Sequence, residues 1–131
     1  MRVLLDTFYL YRFMEEPGNL LMDELRIVSE LEAELYVSAV SIWEMRLKHR
    51  ARYVSGERKS PYDPADVVSA LEDQDVRFLP VSMVHAARRL APPLNHRDPF
   101  DELLLIQAQE EGLKLLTTDR RIIGHPLAIT P

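Results

Sequence analysis

Short apolar runs of strand length alternate with longer stretches of helical spacing along this chain, and that alternation constrains its fold more than any other feature. Val3, Leu4 and Leu5 lie in the first run, residues 2–6, and "LYVSAV" (35–40), "VRFLPV" (76–81), "LKLLTT" (113–118) and "PLAIT" (126–130) follow. Between them, 8–14 reads as a short helix ended near Pro17-Gly18, and 19–33 carries Leu20, Leu21, Leu25, Val28 and Leu31 at helical intervals. Ser41 is expected to open the helix "SIWEMRLKHRARY", 64–73 to form another, and Ser82 to start one that stops at Pro92-Pro93. "DPFDELLLIQAQEEG" has Asp98 at the N-cap, Pro99 at the first helical position and Gly112 near its end. Strands alternating with helices predict an α/β protein with a parallel sheet and right-handed crossovers.

At 131 residues, one domain spanning 1–131 is the simplest reading. No apolar run approaches the length of a membrane span, and the N-terminus lacks the pattern of a secretion signal. The absence of cysteine excludes disulfides and thiolate metal sites and fits a cytoplasmic location. Four histidines, at 49, 85, 96 and 125, show no zinc-type spacing. A net charge of −5 argues against a general nucleic-acid coat protein. Between 46 and 59, however, Arg46, Lys48, Arg50, Arg52, Arg58 and Lys59 meet a single acid, Glu57. Such an arm is either a solvated helix face with a loop or a local polyanion contact, with Arg46, Arg50 and Arg52 as candidate RNA-binding residues.

Four acids occupy similar places in this pattern. Asp6 ends the first strand and Asp119 a later one, while Glu44 and Asp101 are expected in the first turns of the helices after Ser41 and Asp98. Singly, each has a structural explanation: Asp6 as an N-cap, "SIWE" as a capping box, Asp101 as a complement to the helix dipole. Together they fall at one edge, the carboxyl ends of the strands, where open α/β sheets bind ligands. Two carboxylates about 4 Å apart repel by about 4 kcal/mol at an effective dielectric near 20, so such a cluster needs protons or a cation. Oxygen donors with open positions suit Mg²⁺ or Mn²⁺, which activate water against phosphodiesters. No glycine-rich phosphate loop or Ser-His-Asp pattern competes for the role.

"LLDT", "SAVSIWEM", "HRDPFDELLLIQAQ" and "LLTTD" resemble, in that order, segments of the PIN-domain nucleases, most of all the single-domain toxins of VapC type. The resemblance implies a three-layer α/β/α sandwich around a parallel sheet of four to five strands. It also implies a metal-dependent endoribonuclease that cuts single-stranded RNA. Asp6, Glu44, Asp101 and Asp119 match the family's acidic positions as catalytic residues and ligands of Mg²⁺ or Mn²⁺, with Asp98 and Thr117 supporting. It further implies a homodimer that a cognate antitoxin holds inactive, with DNA reached only indirectly through that antitoxin. Phe8 departs from the pattern, since many relatives carry Asn or another polar residue there, and Glu102 departs where a basic residue is common. The alternative is a catalytically silent PIN-like domain that binds RNA or protein. Trp43 is expected in the core or a dimer contact, and Tyr9, Tyr11 and Phe13 in packing or antitoxin contacts.

Overall fold

The computed structural model of the protein describes residues 1–15 and 32–131. Its order is β1 (Arg2–Leu5), α1 (Thr7–Glu15), β2 (Glu34–Ser38), α2 (Ala39–Arg50), α3 (Pro64–Glu72), β3 (Val76–Leu79), α4 (Met83–Ala87), α5 (Pro99–Glu111), β4 (Lys114–Leu116) and β5 (Ala128–Ile129). The helical stretch expected over 19–33 falls, apart from residues 32 and 33, outside the described residues. The strands form one five-stranded sheet in the order β3-β2-β1-β4-β5, and every pairing is parallel.

The apolar runs alternate faces, and both faces are covered. Val3, Leu5, Leu35, Val37 and Leu116 pack on one side with Tyr9, Leu10 and Phe13 of α1, Met45 of α2, and Val67 and Leu71 of α3. Leu4, Tyr36 and Leu115 face the opposite way, against Leu104, Leu105 and Ala108 of α5. A strand buried on both sides reads as a continuous apolar run, which is why β1 carries no polar residue between Val3 and Leu5. The result is a three-layer α/β/α sandwich.

The order of the strands decides where a ligand can sit. From β1 the chain winds one way to β2 and β3 and then returns to place β4 on the other side of β1. The crevice between β1 and β4, beyond their carboxyl ends, is therefore the topological switch point. Asp6 follows β1 there, and its backbone N–H still donates to Leu116 of β4 (3.1 Å).

Several boundaries differ from the sequence expectation. The run 35–40 is strand only through Ser38, because the Ser38 hydroxyl accepts from the Val40 N–H and opens α2 three residues earlier than Ser41 would. Glu44 consequently lies beyond the first turn of α2, and the Ser41–Glu44 capping box does not form. The same helix stops at Arg50 rather than running to Tyr53, and Arg52 then pairs in a β-bridge with Arg58. α4 is capped by Ser82 as expected but ends at Ala87, well before Pro92, and the chain beyond it turns to bury Leu90. α5 keeps its expected bounds: the Asp98 carboxylate accepts from the N–H groups of Phe100 and Asp101, and Gly112 adopts φ 67° past the last turn. That left-handed conformation is one glycine takes without the Cβ penalty.

Candidate active site

Asp6, Glu44, Asp98, Asp101 and Asp119 line one cleft of about 360 Å³, together with Thr7, Phe8, Tyr11, Lys48 and Arg121. Among the described residues, five carboxylates thus face two cations. Each acid arrives by a different route. Asp6 and Asp119 leave the carboxyl ends of β1 and β4, Glu44 projects from α2, and Asp98 and Asp101 begin α5.

Hydroxyls hold the carboxylates in place. Thr117 donates to Asp6 Oδ2 (2.7 Å) and accepts from the Asp119 N–H (3.0 Å), so one buried threonine sets two acids. Asp6 Oδ1 accepts the Thr7 N–H (2.8 Å) at the start of α1. Asp6 is therefore both a backbone acceptor at the helix entry and a cleft acid, and the two explanations for its place do not compete. Thr7 Oγ1 lies 3.0 Å from Glu44 Oε1 and 2.8 Å from Ser41 Oγ, a buried relay from α1 to α2. Glu44 Oε2 receives Lys48 Nζ at 2.9 Å.

Asp101 is treated differently. It is 6% exposed, and its Oδ2 has no hydrogen-bond partner among the described residues. His96 Nε2, also without a hydrogen-bond partner among the described residues, stands 3.7 Å away. The Asp98 N–H donates to His96 Nδ1 (3.2 Å), so a neutral His96 carries its proton on Nε2, toward Asp101.

A family model described as the PIN domain matches residues 3–125. The chain belongs to the PIN-domain family. It is also 32% identical over 126 residues to Ribonuclease VapC22 of Mycobacterium tuberculosis (strain ATCC 25618 / H37Rv), across 94% of this chain and 91% of that protein. Its fold matches VapBC2 from Rickettsia felis, solved bound to a promoter DNA fragment. There the TM-score is 0.65 at 13% identity, over 100% of this chain and 98% of that one. A toxin–antitoxin complex from Klebsiella pneumoniae matches at a TM-score of 0.65 and 20% identity, over 98% and 97%.

Within this PIN domain the cleft has uneven electrostatics. Burial pushes the Asp101 carboxyl up to about 7, helped by the charges of Asp98, Asp6 and Asp119 and opposed by Arg121. Burial also raises Asp6, against the Thr117 and Thr7 hydrogen bonds that favour its charged form, and with Glu44 and Asp119 adding repulsion. Asp119 is held low, chiefly by its hydrogen bond from Arg121. Burial works against the Lys48 charge, but the Glu44 contact outweighs it and raises the ammonium.

The donor set fits a hard divalent cation. All the acids offer oxygen, Asp101 Oδ2 is buried without a partner, and the protons that burial forces onto Asp101 mark charge that a cation would neutralise. Among the described residues no three His, Asp or Glu side chains are drawn into a ready-made cage. A guanidinium stands among them instead: Arg121 contacts Asp119, Asp101 and Asp98.

Thr7, His96 and Arg121 carry no role in the sequence expectation, and Lys48 only that of one cation in the basic arm. Phe8 lines the cleft without a polar group, and the side-chain hydrogen bond to Asp6 comes from Thr117 instead. Of the basic arm, Lys48 alone lines the cleft; Arg46 pairs with Asp63 (3.1 Å), Arg50 lies over Trp43, and Arg52 donates to the Gly56 carbonyl. Trp43 is 55% exposed and not in the core; it borders an apolar hollow of about 550 Å³ with Ile42, Val68 and Phe78. Tyr9 and Phe13 pack in the core as expected, and Tyr11 is half-buried against it.

Proposed function

We propose that this PIN domain is a VapC-type endoribonuclease, the toxin of a toxin–antitoxin pair, and that it hydrolyses phosphodiester bonds in single-stranded RNA with Mg²⁺ or Mn²⁺. The convergence of Asp6, Glu44, Asp101 and Asp119 on the β1–β4 switch point carries this reading. Asp6, Asp101 and Asp119 would hold the cation, with Glu44 as a further ligand. When bound, that ion supplies positive charge to the attacking water and to the phosphate oxygens.

The chain's own residues do the rest. Thr117 fixes the Asp6 carboxylate through a hydrogen bond to its charged form, so that the acid is aimed before substrate arrives. Thr7 and Lys48 do the same for Glu44, engaging one oxygen each. Asp98 spends one oxygen on the α5 cap and is a supporting acid. Hydrolysis breaks the P–O3′ bond, places the water oxygen on phosphorus and leaves a 5′-phosphate on the downstream fragment. The open cleft suits an unpaired strand whose bases are splayed out of structure.

A cognate antitoxin that covers the cleft and a homodimer are the partners this reading implies, and the toxin–antitoxin complexes among the fold matches support the first. Among the described residues no helix is long and apolar enough to cross a membrane. The test is incubation of a mixed RNA pool with purified protein in Mg²⁺, Mn²⁺ or EDTA, beside Asp6→Ala and Asp119→Ala. Cutting that needs metal and disappears in folded variants is the expected result. Full metal-dependent cleavage by both variants would overturn the assignment. A folded wild type that binds RNA without cutting it would favour the silent binding domain.

A further inference from the structure

The five cleft acids do not stand bare, because one guanidinium from the turn after β4 reaches three of them. Arg121 Nη2 lies 3.0 Å from Asp119 Oδ2, 3.5 Å from Asp101 Oδ2 and 3.8 Å from Asp98 Oδ2. Its Nε lies 3.3 Å from Asp119 Oδ1, and its backbone N–H donates to that same oxygen (2.9 Å). Both Asp119 oxygens are therefore engaged by this one residue. Asp101 Oδ2, by contrast, sees the guanidinium's charge but receives no hydrogen bond from it. The position is that of a general counter-ion rather than a fitted partner for each acid. Arg121 is also 57% exposed, so its side chain can leave without opening the core.

We propose that Arg121 is a displaceable internal counter-ion that occupies the cation position among Asp98, Asp101 and Asp119 in the metal-free protein and yields it to the divalent ion. The inference rests on the metal-site reading above and adds that metal affinity is set by competition with a residue of the same chain. An arginine and a divalent cation compete for Asp119's oxygens and for the space before Asp101. Like charges at that distance repel, and the guanidinium offers only donors where the ion needs acceptors. Metal binding thus costs the contacts Arg121 makes. Those contacts are partly solvated, which keeps the cost small enough for the ion to win.

The two alternatives for Arg121 make opposite or null predictions. A residue that merely braces Asp119 in a ligating pose would weaken metal binding when removed. One that only contacts RNA would leave it unchanged. A displaced counter-ion strengthens metal binding when removed, because the ion no longer has to compete.

The experiment is Mn²⁺ binding, followed by electron paramagnetic resonance without RNA, for the wild type, Arg121→Gln and Arg121→Lys. The expected result is a Kd about fivefold tighter in Arg121→Gln, the modest factor typical of a solvent-exposed ion pair, with Arg121→Lys near the wild type. By linkage, Arg121→Gln also melts lower than the wild type in EDTA and together with it at saturating Mn²⁺. Equal or weaker Mn²⁺ binding by Arg121→Gln, with wild-type binding intact, would overturn the counter-ion role and leave the metal site standing. No Mn²⁺ bound by any of the three proteins would overturn the metal reading and this inference together.

Discussion

Replacing Asp101 with Asn should make the metal-free protein more stable at neutral pH while removing its response to metal. In the folded state burial and the neighbouring acids raise Asp101 to about 7, whereas in the unfolded chain it titrates near the ordinary value of 3.8. Below that ordinary value both states hold the proton. Between it and about 7 the folded protein keeps a proton that the unfolded chain releases, so each pH unit of rise costs about 1.4 kcal/mol of stability; above 7 the slope vanishes. From pH 5 to pH 7 the loss from this one residue comes to about 2 kcal/mol. Asp6, also raised by burial, works in the same direction. An Asn carries no charge to bury, and its amide N–H groups can donate to the carboxylates that surround it. Urea unfolding in EDTA at pH 5, 6, 7 and 8 should therefore show the wild type losing stability with rising pH and Asp101→Asn losing clearly less. At pH 7 the variant should melt higher by roughly 5–10 °C. Saturating Mn²⁺ reverses the order, because the ion stabilises only the protein that can hold it. A wild type whose metal-free stability rises from pH 5 to 7, or an Asn variant that is less stable in EDTA at pH 7, would refute the idea that Asp101 carries destabilising charge.

Thr117→Val keeps the shape of the side chain but leaves Asp6 Oδ2 and the Asp119 N–H without their partner. It should cost about 1–3 kcal/mol in urea unfolding and weaken Mn²⁺ binding in titration calorimetry. Thr7→Val removes the hydroxyl beside Glu44 and should lower the cleavage rate at saturating metal more than it alters the melting temperature, a split that parallel kinetics and calorimetry would read. Lys48→Glu should lower RNA affinity and reduce its salt dependence by about one unit of slope, whereas Arg52→Glu, away from the cleft and tied to the Gly56 carbonyl, should do less; a filter-binding salt series compares them. Leu4→Ala, at the centre of the sheet and fully buried, should cost about 2–5 kcal/mol in the same unfolding assay.

What the sequence reveals here is what depends on neighbours close along the chain. β1 is legible because a strand covered on both faces has to be apolar throughout, and Asp6 is conspicuous because it breaks that run. α5 is legible because its cap, its proline and its terminal glycine all act within a turn of where they stand. The start of α2 is ambiguous in sequence, because Ser38 and Ser41 are both serines and either can cap; Ser38 does, three residues earlier than Ser41 would. What separates them is Thr7, distant in sequence, which takes Ser41 into a buried relay. That shift carries Glu44 past the first turn without moving it out of the cleft. Arg121 was illegible for the same reason: it meets Asp98 and Asp101 only because β4 lies beside β1 and α5 packs over both. The available signal was a basic residue two positions after a strand-ending acid. The basic arm misled in the opposite sense, since its charges look free in sequence but several are committed to Asp63, Trp43 and backbone carbonyls nearby.

Cleavage should follow occupancy of the acid cleft by a divalent ion. The direct measurement is the rate of cleavage of a single-stranded RNA against free Mn²⁺, with bound Mn²⁺ counted by paramagnetic resonance in the same samples, for the wild type and Asp6→Asn. The predicted result is a rate that rises in proportion to occupancy in the wild type, with both absent in the folded variant. Cleavage that persists in EDTA, or a cleft saturated with Mn²⁺ that leaves single-stranded RNA intact, would contradict it.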